Sequence, residues 1–380
     1  MVHPTVLAIL RQKVYNVRWR SVMADWDKIR IIRKKEDMQV GQIVPKRTYN
    51  VLNTNDEGGR PVDYSVTFRI TEACDLKCNY CHWHSGKHYA YEDIITSIDK
   101  LFEFFIKEKF KNVNFYYHGG EPTRHPRVLD ILKYIHQKGR ETGINATNEM
   151  QTNLTIKESK LLEMLPYCDL FNVSFHYLEL KIKNKLKTFD SNWEKLKELG
   201  VTLHTLDVMM ESVEKGNRFY QGNTIEIIPE EFYDRVKYYL EYDKIMNCEM
   251  IYGFCHYVYP EDVAEKHMKF YKQYNKTEQR YEIDNVIYTT NDLFKLGIDA
   301  RGWTCAAGQE SITINGDGNV FHCGIHMTNY IRQSAPELPY TNLVHDAATL
   351  AKMSILYKTG TKCRWDYCGG DFYLSRKAPK

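Results

Sequence analysis

Apolar residues follow two different periods along the middle of the chain. In YEDIITSIDKLFEFFIKE, which begins at Tyr91, they recur every three or four positions and predict an amphipathic helix. The preceding run YSVTFRI, at 64–70, is rich in β-branched and aromatic residues and predicts a strand. Strand-like and helix-like segments continue to alternate along the chain. The further strands are predicted at 113–118, 148–153, 170–176, 202–210 and 245–254, and the further helices at 127–139, 156–164, 191–199 and 229–242.

Six strand and helix units in this order indicate an α/β fold with a parallel sheet, here a partial (β/α)6 barrel. Functional side chains of such folds lie at the carboxyl ends of the strands. We expect an N-terminal extension over 1–62 and the barrel over 63–259. A helical connector is predicted over 260–297, and a small domain over 298–380, where SITINGDGNVFHC predicts a β-hairpin.

Composition narrows the class of protein. The 380 residues are 43% hydrophobic and 27% charged, as in soluble globular proteins, and the net charge of +3 indicates neither a nucleic-acid nor a membrane partner. No apolar segment approaches the roughly 18 residues of a membrane span, and the first residues do not resemble a signal peptide. We therefore expect a cytoplasmic protein whose ten cysteines serve metal or redox chemistry.

Three cysteines follow the first predicted strand directly. The stretch CDLKCNYC contains Cys74, Cys78 and Cys81. A cubane 4Fe-4S cluster has four irons, so three thiolates leave one iron with a coordination position for a substrate or cosubstrate. A zinc site completed by His82 or His84 is the alternative.

A glycine-rich turn, HGGEP at 118–122, follows the second predicted strand. Gly119 and Gly120 permit a close approach of backbone carbonyls to a ligand, and Glu121 can offset a positive charge.

The two motifs together, with Tyr80 at the aromatic position of CxxxCxxC, resemble the signatures of the radical S-adenosylmethionine (SAM) superfamily. The resemblance implies a 4Fe-4S cluster whose fourth iron binds SAM. It also implies an external electron donor such as flavodoxin or ferredoxin, and reductive cleavage of SAM to a 5′-deoxyadenosyl radical. Gly119, Gly120 and Glu121 would then face the methionyl amino group.

The resemblance further implies that polar residues ending the third and fourth strands contact the SAM carboxylate and ribose. These residues are Gln151, Asn153, Ser174 and His176. The alternative for Ser174 and His176 is a hydrogen-bonded place in the core.

Four later cysteines, Cys305, Cys323, Cys363 and Cys368, predict a second site. The stretch from Cys305 to Cys323, with Gly318 five positions before Cys323, is similar to the opening of SPASM and twitch domains. That resemblance implies an auxiliary 4Fe-4S cluster with four thiolates in the shorter twitch architecture. His322 or His326 replacing one thiolate, and a structural zinc ribbon, are the alternatives.

The motifs leave the reaction on the substrate open. We favour oxidation or cross-linking of a peptide or protein side chain, with dehydrogenation of a sugar or aminocyclitol alcohol as the alternative. A redox-neutral epimerase is a further alternative, with Cys248 on the sixth strand or Cys255 just after it as the hydrogen donor. A non-catalytic iron-sulfur or zinc module is the last alternative. Glu211, after the fifth strand, is a candidate catalytic residue at the rim.

Overall fold

The computed structural model describes six stretches of the chain and several short strands. The stretches are 62–78, 81, 85–208, 230–247, 307–331 and 338–364. The short strands outside them are Val213–Glu214, Ile225–Glu226, Arg280–Ile283, Val286–Thr289, Thr304–Cys305 and Arg376–Lys377.

A nine-stranded sheet forms the centre of the described part. Its strands are β1 Tyr64–Arg69, β2 Asn112–Tyr117, β3 Asn145–Thr152, β4 Leu170–Phe175, β5 Leu203–Val208, β6 Ile245–Asn247, β7 Ser311–Asn315, β8 Asn319–Phe321 and β9 Thr341–Asn342. Their spatial order is β9-β8-β7-β1-β2-β3-β4-β5-β6. Strands β1 to β6 are neighbours in chain order and run parallel, so the predicted α/β fold with a parallel sheet is confirmed.

Helices connect these strands. They are α1 Tyr91–Glu108, α2 Val128–Thr142, α3 Glu158–Met164, α4 Tyr177–Ile182, α5 Leu186–Glu198, α6 Glu230–Leu240, α7 Gly324–Ile331 and α8 Thr349–Thr359. The predicted helices of the barrel are present within a few residues of their expected limits, whereas α4 and the two last helices were not predicted. Within the described residues, no helix is both long and apolar enough to cross a bilayer.

The two faces of the sheet differ in polarity. On one face, Val66, Phe68, Phe115, Met150 and Val173 are completely buried in the apolar core. Burial of each such side chain contributes about 1.5–3 kcal/mol to folding. The other face is polar, because residues of opposite parity along a strand point to opposite sides. It carries Ser65, Thr67, Arg69, Asn114, Tyr116, Thr147, Glu149, Gln151, Asn172, Ser174, Thr205 and Asp207.

The polar face is concave. Side chains of β3 and β5 reach each other across β4, since Gln151 Nε2 lies 2.7 Å from Asp207 Oδ2 and His204 Nδ1 lies 2.7 Å from Glu149 Oε1. Such contacts between strands that are not neighbours fit a sheet that curves toward its polar face, as in the predicted partial barrel. The carboxyl ends of the strands and the inner wall of this sheet therefore position the candidate site.

The prediction of a helical connector over 260–297 is wrong where the structure describes it. Arg280–Ile283 pairs antiparallel with Val286–Thr289. The Lys, Tyr and Glu content favoured a helix, but these two short runs are locally rich in β-branched and aromatic residues, which favour strands. The remainder of the connector falls outside the described ranges.

The predicted hairpin of 311–323 is present as β7 and β8, but its place differs from the expected one. Strand β7 pairs in parallel with β1, with Ser311 opposite Ser65, so the hairpin extends the large sheet. Contacts divide the chain into two compact units, and β7 to α8 belong to the unit of the sheet. The other unit contains Thr304–Cys305, Thr361–Lys362 and Arg376–Lys377, which form a small sheet. The predicted boundary at 298 does not coincide with this division, while the limits of the other segments stay predictions.

Candidate functional site

The loop after β1 carries three thiols to the carboxyl edge of the sheet. Cys78 is buried, and Cys74 and Cys81 are half-buried. The backbone N–H of Cys81 donates to the carbonyl of Cys78 at 3.0 Å, and the N–H of Leu76 lies 3.4 Å from Cys74 Sγ. Tyr80, and the His82 and His84 of the zinc alternative, lie outside the part of the chain that is described.

The HGGEP turn packs directly against this cysteine loop. The N–H of Gly120 donates to the carbonyl of Thr71 at 3.0 Å, and the N–H of Glu121 donates to the carbonyl of Ala73 at 2.8 Å. A Cβ on Gly120 would lie 2.3 Å from the Ala73 oxygen, and one on Gly119, whose φ is +146°, would lie 2.5 Å from the Thr71 oxygen. Close contact between two backbones therefore requires both glycines, and their contact with SAM stays a prediction.

Glu121 is buried and connects the turn to the end of β3. Its carboxylate accepts hydrogen bonds from Thr123 N at 3.2 Å, Thr123 Oγ1 at 2.7 Å, Thr152 Oγ1 at 2.9 Å and Asn153 N at 2.7 Å. Burial raises the pKa of Glu121 to about 7, although these donors act in the opposite direction. The carboxylate thus joins two strand ends, and a charge-balancing role toward a ligand stays a prediction.

Asp75, inside the CxxxC segment, fixes the cysteine loop from the other side. Its carboxylate accepts from Asn153 Nδ2 at 3.2 Å and from Thr155 Oγ1 at 2.7 Å, and Lys185 Nζ lies 3.6 Å away. The same Asn153 Nδ2 lies 3.8 Å from Cys74 Sγ. Asn153, predicted to contact SAM, therefore also holds the cysteine loop. Asp75 is not among the site residues predicted from the sequence. Its place between Cys74 and Cys78 is the feature of the sequence that could have indicated its role.

The Cys74 thiol is strongly disfavoured as a free thiolate. Burial raises its pKa to about 12, and the nearby charges of Glu121, Asp75 and Cys81 act in the same direction. A metal centre that coordinated the thiolate directly would lower this pKa.

An upper polar layer lies at the carboxyl ends of β2 to β5. Gln151 Nε2 donates to Ser174 Oγ and to Asp207 Oδ2, and the Tyr116 hydroxyl donates to Gln151 Oε1. The structure thus brings two predicted residues, Gln151 and Ser174, into contact with Asp207, which no sequence motif indicates. His176 follows β4 and is half-buried, and burial lowers its pKa to about 4, so its ring is neutral at pH 7.

A lower polar layer lies one step deeper on the same face. Glu149 accepts from Asn114 Nδ2 and Asn172 Nδ2, both at 2.5 Å, and pairs with His204 Nδ1 at 2.7 Å. The register of β4 and β5 shifts between Phe171 and Asn172, and this irregularity lets the His204 side chain join the lower layer. Burial alone would raise the pKa of Glu149, but His204 and the amides outweigh it and hold the pKa below its usual value.

The remaining predicted residues are only partly described. Glu211, Cys248, Cys255 and Cys368 lie outside the described residues, and only the backbone of Cys305 is described. Cys323 and Cys363 are half-buried and belong to different compact units. The ring of His326 contacts the backbone at both nitrogens, with the Leu338 carbonyl 3.1 Å from Nε2 and the His322 N–H 3.4 Å from Nδ1. This arrangement disfavours His326 as a cluster ligand.

The three thiols of the first loop fit an iron-sulfur cluster by their chemistry. Soft thiolates select iron-sulfur clusters over hard cations, and here all three lie on one loop that two strand ends hold in place. Among the described side chains, no three of His, Cys, Asp and Glu surround a common point. The three thiols therefore suit an iron-sulfur cluster because of their chemical type and their position on one loop, and not because their sulfur atoms already surround a common point.

Comparison with known protein families identifies the class of this domain. Residues 68–242 match the radical SAM superfamily. The match includes the cysteine loop, the HGGEP turn and strands β2 to β5, so this part of the chain is a radical SAM domain. The resemblance inferred from the two motifs is confirmed for this domain.

Individual relatives match shorter parts of the chain. The tungsten-containing aldehyde ferredoxin oxidoreductase cofactor-modifying protein of Pyrococcus furiosus is 32% identical over 95 residues, which are 23% of this chain and 25% of that protein. The antilisterial bacteriocin subtilosin biosynthesis protein AlbA of Bacillus subtilis is 25% identical over 147 residues, or 37% of this chain and 30% of AlbA. The matches thus span less than a third of these relatives.

A solved structure, SuiB of Streptococcus suis bound to S-adenosylmethionine, is also similar to this chain. It is 14% identical, with a TM-score of 0.48, and the similarity covers 78% of this chain and 67% of SuiB.

Substitution of Gly120 by alanine is expected to displace the cysteine loop, because the new methyl group would overlap the Ala73 carbonyl. We expect a loss of about 1–3 kcal/mol in stability and a lower iron content after anaerobic reconstitution. G143A is the matched control, since Gly143 caps α2 with φ +69° and nothing lies near its Cβ position. It should cost about 1 kcal/mol and leave iron binding intact. Equal iron contents in the two variants would contradict this account of Gly120.

Substitution of Glu149 by glutamine is expected to destabilise the protein in a pH-dependent manner. At pH 7, loss of the buried pair should lower the free energy of unfolding by about 3–5 kcal/mol. Because the folded state lowers the pKa of Glu149 from 4.5, its stabilisation is present above pH 4.5 and lost as the pH falls through the folded pKa. Urea unfolding at several pH values should therefore show the gap to wild type closing in acid. The exposed E163Q should differ little from wild type at any pH, and a gap for E149Q that stays constant would refute the prediction.

Proposed function

We propose that this protein is a radical SAM enzyme that cleaves SAM reductively and oxidises or cross-links a peptide or protein side chain. The observation that carries the proposal is the cysteine loop. It presents three thiols at the carboxyl edge of a parallel sheet, pinned to the HGGEP turn, in a domain of the radical SAM superfamily. When bound, the cluster and SAM supply a 5′-deoxyadenosyl radical that abstracts a hydrogen atom from the substrate.

The chain's own residues would hold and orient these groups. Cys74, Cys78 and Cys81 would ligate three irons of the cluster. Asn153 and Asp75 keep the loop in place through the 3.2 Å hydrogen bond between their side chains. The close packing of the HGGEP turn against the loop brings its backbone next to the cluster ligands, where a carbonyl can accept from the SAM amino group.

The two polar layers of the concave face divide the remaining tasks. The lower layer satisfies its own hydrogen bonds around Glu149 and supports the sheet. The upper layer includes the half-buried Tyr116 and Gln151, so it can exchange hydrogen bonds with SAM or with a polar substrate. In this arrangement Gln151 and Ser174 would orient the ligand, and Asp207 holds Gln151 by accepting a hydrogen bond from its Nε2.

The substrate class is inferred from polarity and from relatives. A wall of amide, hydroxyl and carboxylate groups suits a substrate with many donors and acceptors, such as a peptide. The similarity to a protein of bacteriocin biosynthesis supports the same class. We further propose that Cys305, Cys323, Cys363 and Cys368 would hold a second 4Fe-4S cluster, which would supply one-electron transfer for the oxidative reaction.

Anaerobically reconstituted protein, reduced and mixed with SAM, is expected to release 5′-deoxyadenosine, which chromatography with mass detection measures. The triple variant C74A/C78A/C81A should release none, because its cluster has no ligands. C168A is the matched control, since Cys168 is buried and burial raises the pKa of its thiol far above the usual range. Absence of 5′-deoxyadenosine from fully iron-loaded wild type would exclude the proposed chemistry.

The second cluster is tested by counting metal. We expect about eight irons per chain in the wild type and about four in C323A/C363A, in keeping with two cubanes. The triple variant of the first loop should also retain about four irons. Four irons in the wild type, or zinc in place of the second set, would refute the auxiliary cluster and leave SAM cleavage to be judged by the previous experiment.

A further inference from the structure

A fully buried arginine lies at the foot of the cysteine loop. Arg69 ends β1, five residues before Cys74, and only 1% of its surface is exposed. Taking a guanidinium out of water is costly, so such a place requires compensating charges nearby. The buried position of Arg69 therefore indicates negative charge close to the cysteine loop.

The surroundings of Arg69 hold its side chain in one place. The side chain runs along Gly119, where a Cβ would lie 2.9 Å from Arg69 Cγ and 3.4 Å from Arg69 Nε. Gly119 in turn packs against the Thr71 carbonyl of the cysteine loop. The Arg69 side chain is thus confined between the end of β1, the HGGEP turn and the cysteine loop.

Hydrogen bonds hold the Glu72 carboxylate and the Tyr89 hydroxyl in place near Arg69. Glu72 is buried, and its carboxylate accepts from the Tyr89 hydroxyl at 2.6 Å and from the Ser85 hydroxyl. Burial lowers the pKa of Arg69 to about 10, while Tyr89, Glu72 and Cys81 act to raise it. Arg69 therefore stays charged at pH 7, within electrostatic reach of a predicted cluster ligand.

The neighbouring histidine does not share this charge. Burial, and to a lesser extent the positive charge of Arg69, lowers the pKa of His118 to about 3. At pH 7 the ring of His118 is neutral. Arg69 thus supplies a permanent positive charge on this side of the cysteine loop, and the negative charge of Glu72 lies close to it.

We propose that Arg69 is a positioning residue that raises the reduction potential of the cluster held by Cys74, Cys78 and Cys81. The inference rests on the proposed function, because it assumes that these thiolates hold a 4Fe-4S cluster. Reduction transfers one electron from the external donor to the cluster and makes it more negative, while no bond forms or breaks at Arg69. A cation in a poorly solvated place stabilises the more negative state, so it eases reduction. Glu72 has the opposite effect.

The test compares the reduction potential of the first cluster in R69M, R69K and E72Q with that of the wild type. Full-length protein is reconstituted anaerobically and titrated with a reductant, and the reduced cluster is followed by electron paramagnetic resonance. For R69M we expect the reduction equilibrium to weaken about tenfold, which corresponds to a potential about 59 mV more negative for one electron. R69K keeps the charge and should remain close to the wild type, whereas E72Q should shift the potential in the positive direction.

The opposite signs separate an electrostatic role from a structural one. If Arg69 were merely structural, R69M, R69K and E72Q would all shift the potential in the same direction, and that result would overturn the proposal. If R69M does not bind iron, the test depends on the E72Q and R69K variants. A reduction potential in E72Q that is unchanged or more negative than that of the wild type then refutes the proposal. Failure of the wild type to form 5′-deoxyadenosine would contradict the proposed function, whereas the signed shifts measure the charge effect independently of turnover.

Discussion

The contact between the cysteine loop and the HGGEP turn is the constraint on which the site depends. Two backbone hydrogen bonds join the segments, from Gly120 to Thr71 and from Glu121 to Ala73. The backbones approach so closely that a single added carbon at Gly120 would lie 2.3 Å from a carbonyl oxygen. Because Ala73 immediately precedes Cys74, the position of the first thiol is defined by this contact. The thiols and the glycine turn are therefore one structural unit.

The polar face of the sheet supports this unit without closing it. In its lower layer the buried Glu149 carboxylate is hydrogen-bonded to His204 and to the amides of Asn114 and Asn172, and these contacts would be costly to separate. Its upper layer lies at the strand ends, where Gln151 reaches Ser174 and Asp207. A buried polar floor therefore lies below a hydrogen-bonding rim at the strand ends.

Much of this organisation could be predicted from the sequence because it is local. The helix over 91–108 and the strands of the barrel have clear apolar periods, and two compact motifs locate the thiols and the glycine turn. What could not be predicted depends on pairing between distant segments. Asp207 and Glu149 become site residues only when β3 and β5 meet across β4, and the hairpin of 311–321 joins β1 across more than 240 residues. A helical composition over 260–297 gave a wrong prediction where strand-forming residues dominate locally.

The charges around the loop follow from the same packing. Glu121, Asp75 and Glu72 are carboxylates near a segment that is expected to carry three thiolates, and burial strengthens the repulsion among them. Glu121 reduces this repulsion through a pKa raised to about 7, and Asp75 through its contacts with Thr155 and Lys185. Arg69 opposes it directly, and it can do so only because Gly119 has no side chain to displace it. The HGGEP turn therefore fixes the position of the thiols and also leaves room for the positive charge of Arg69 next to them. This accounts for the occurrence of Arg69 at the end of β1 together with the two glycines that follow β2.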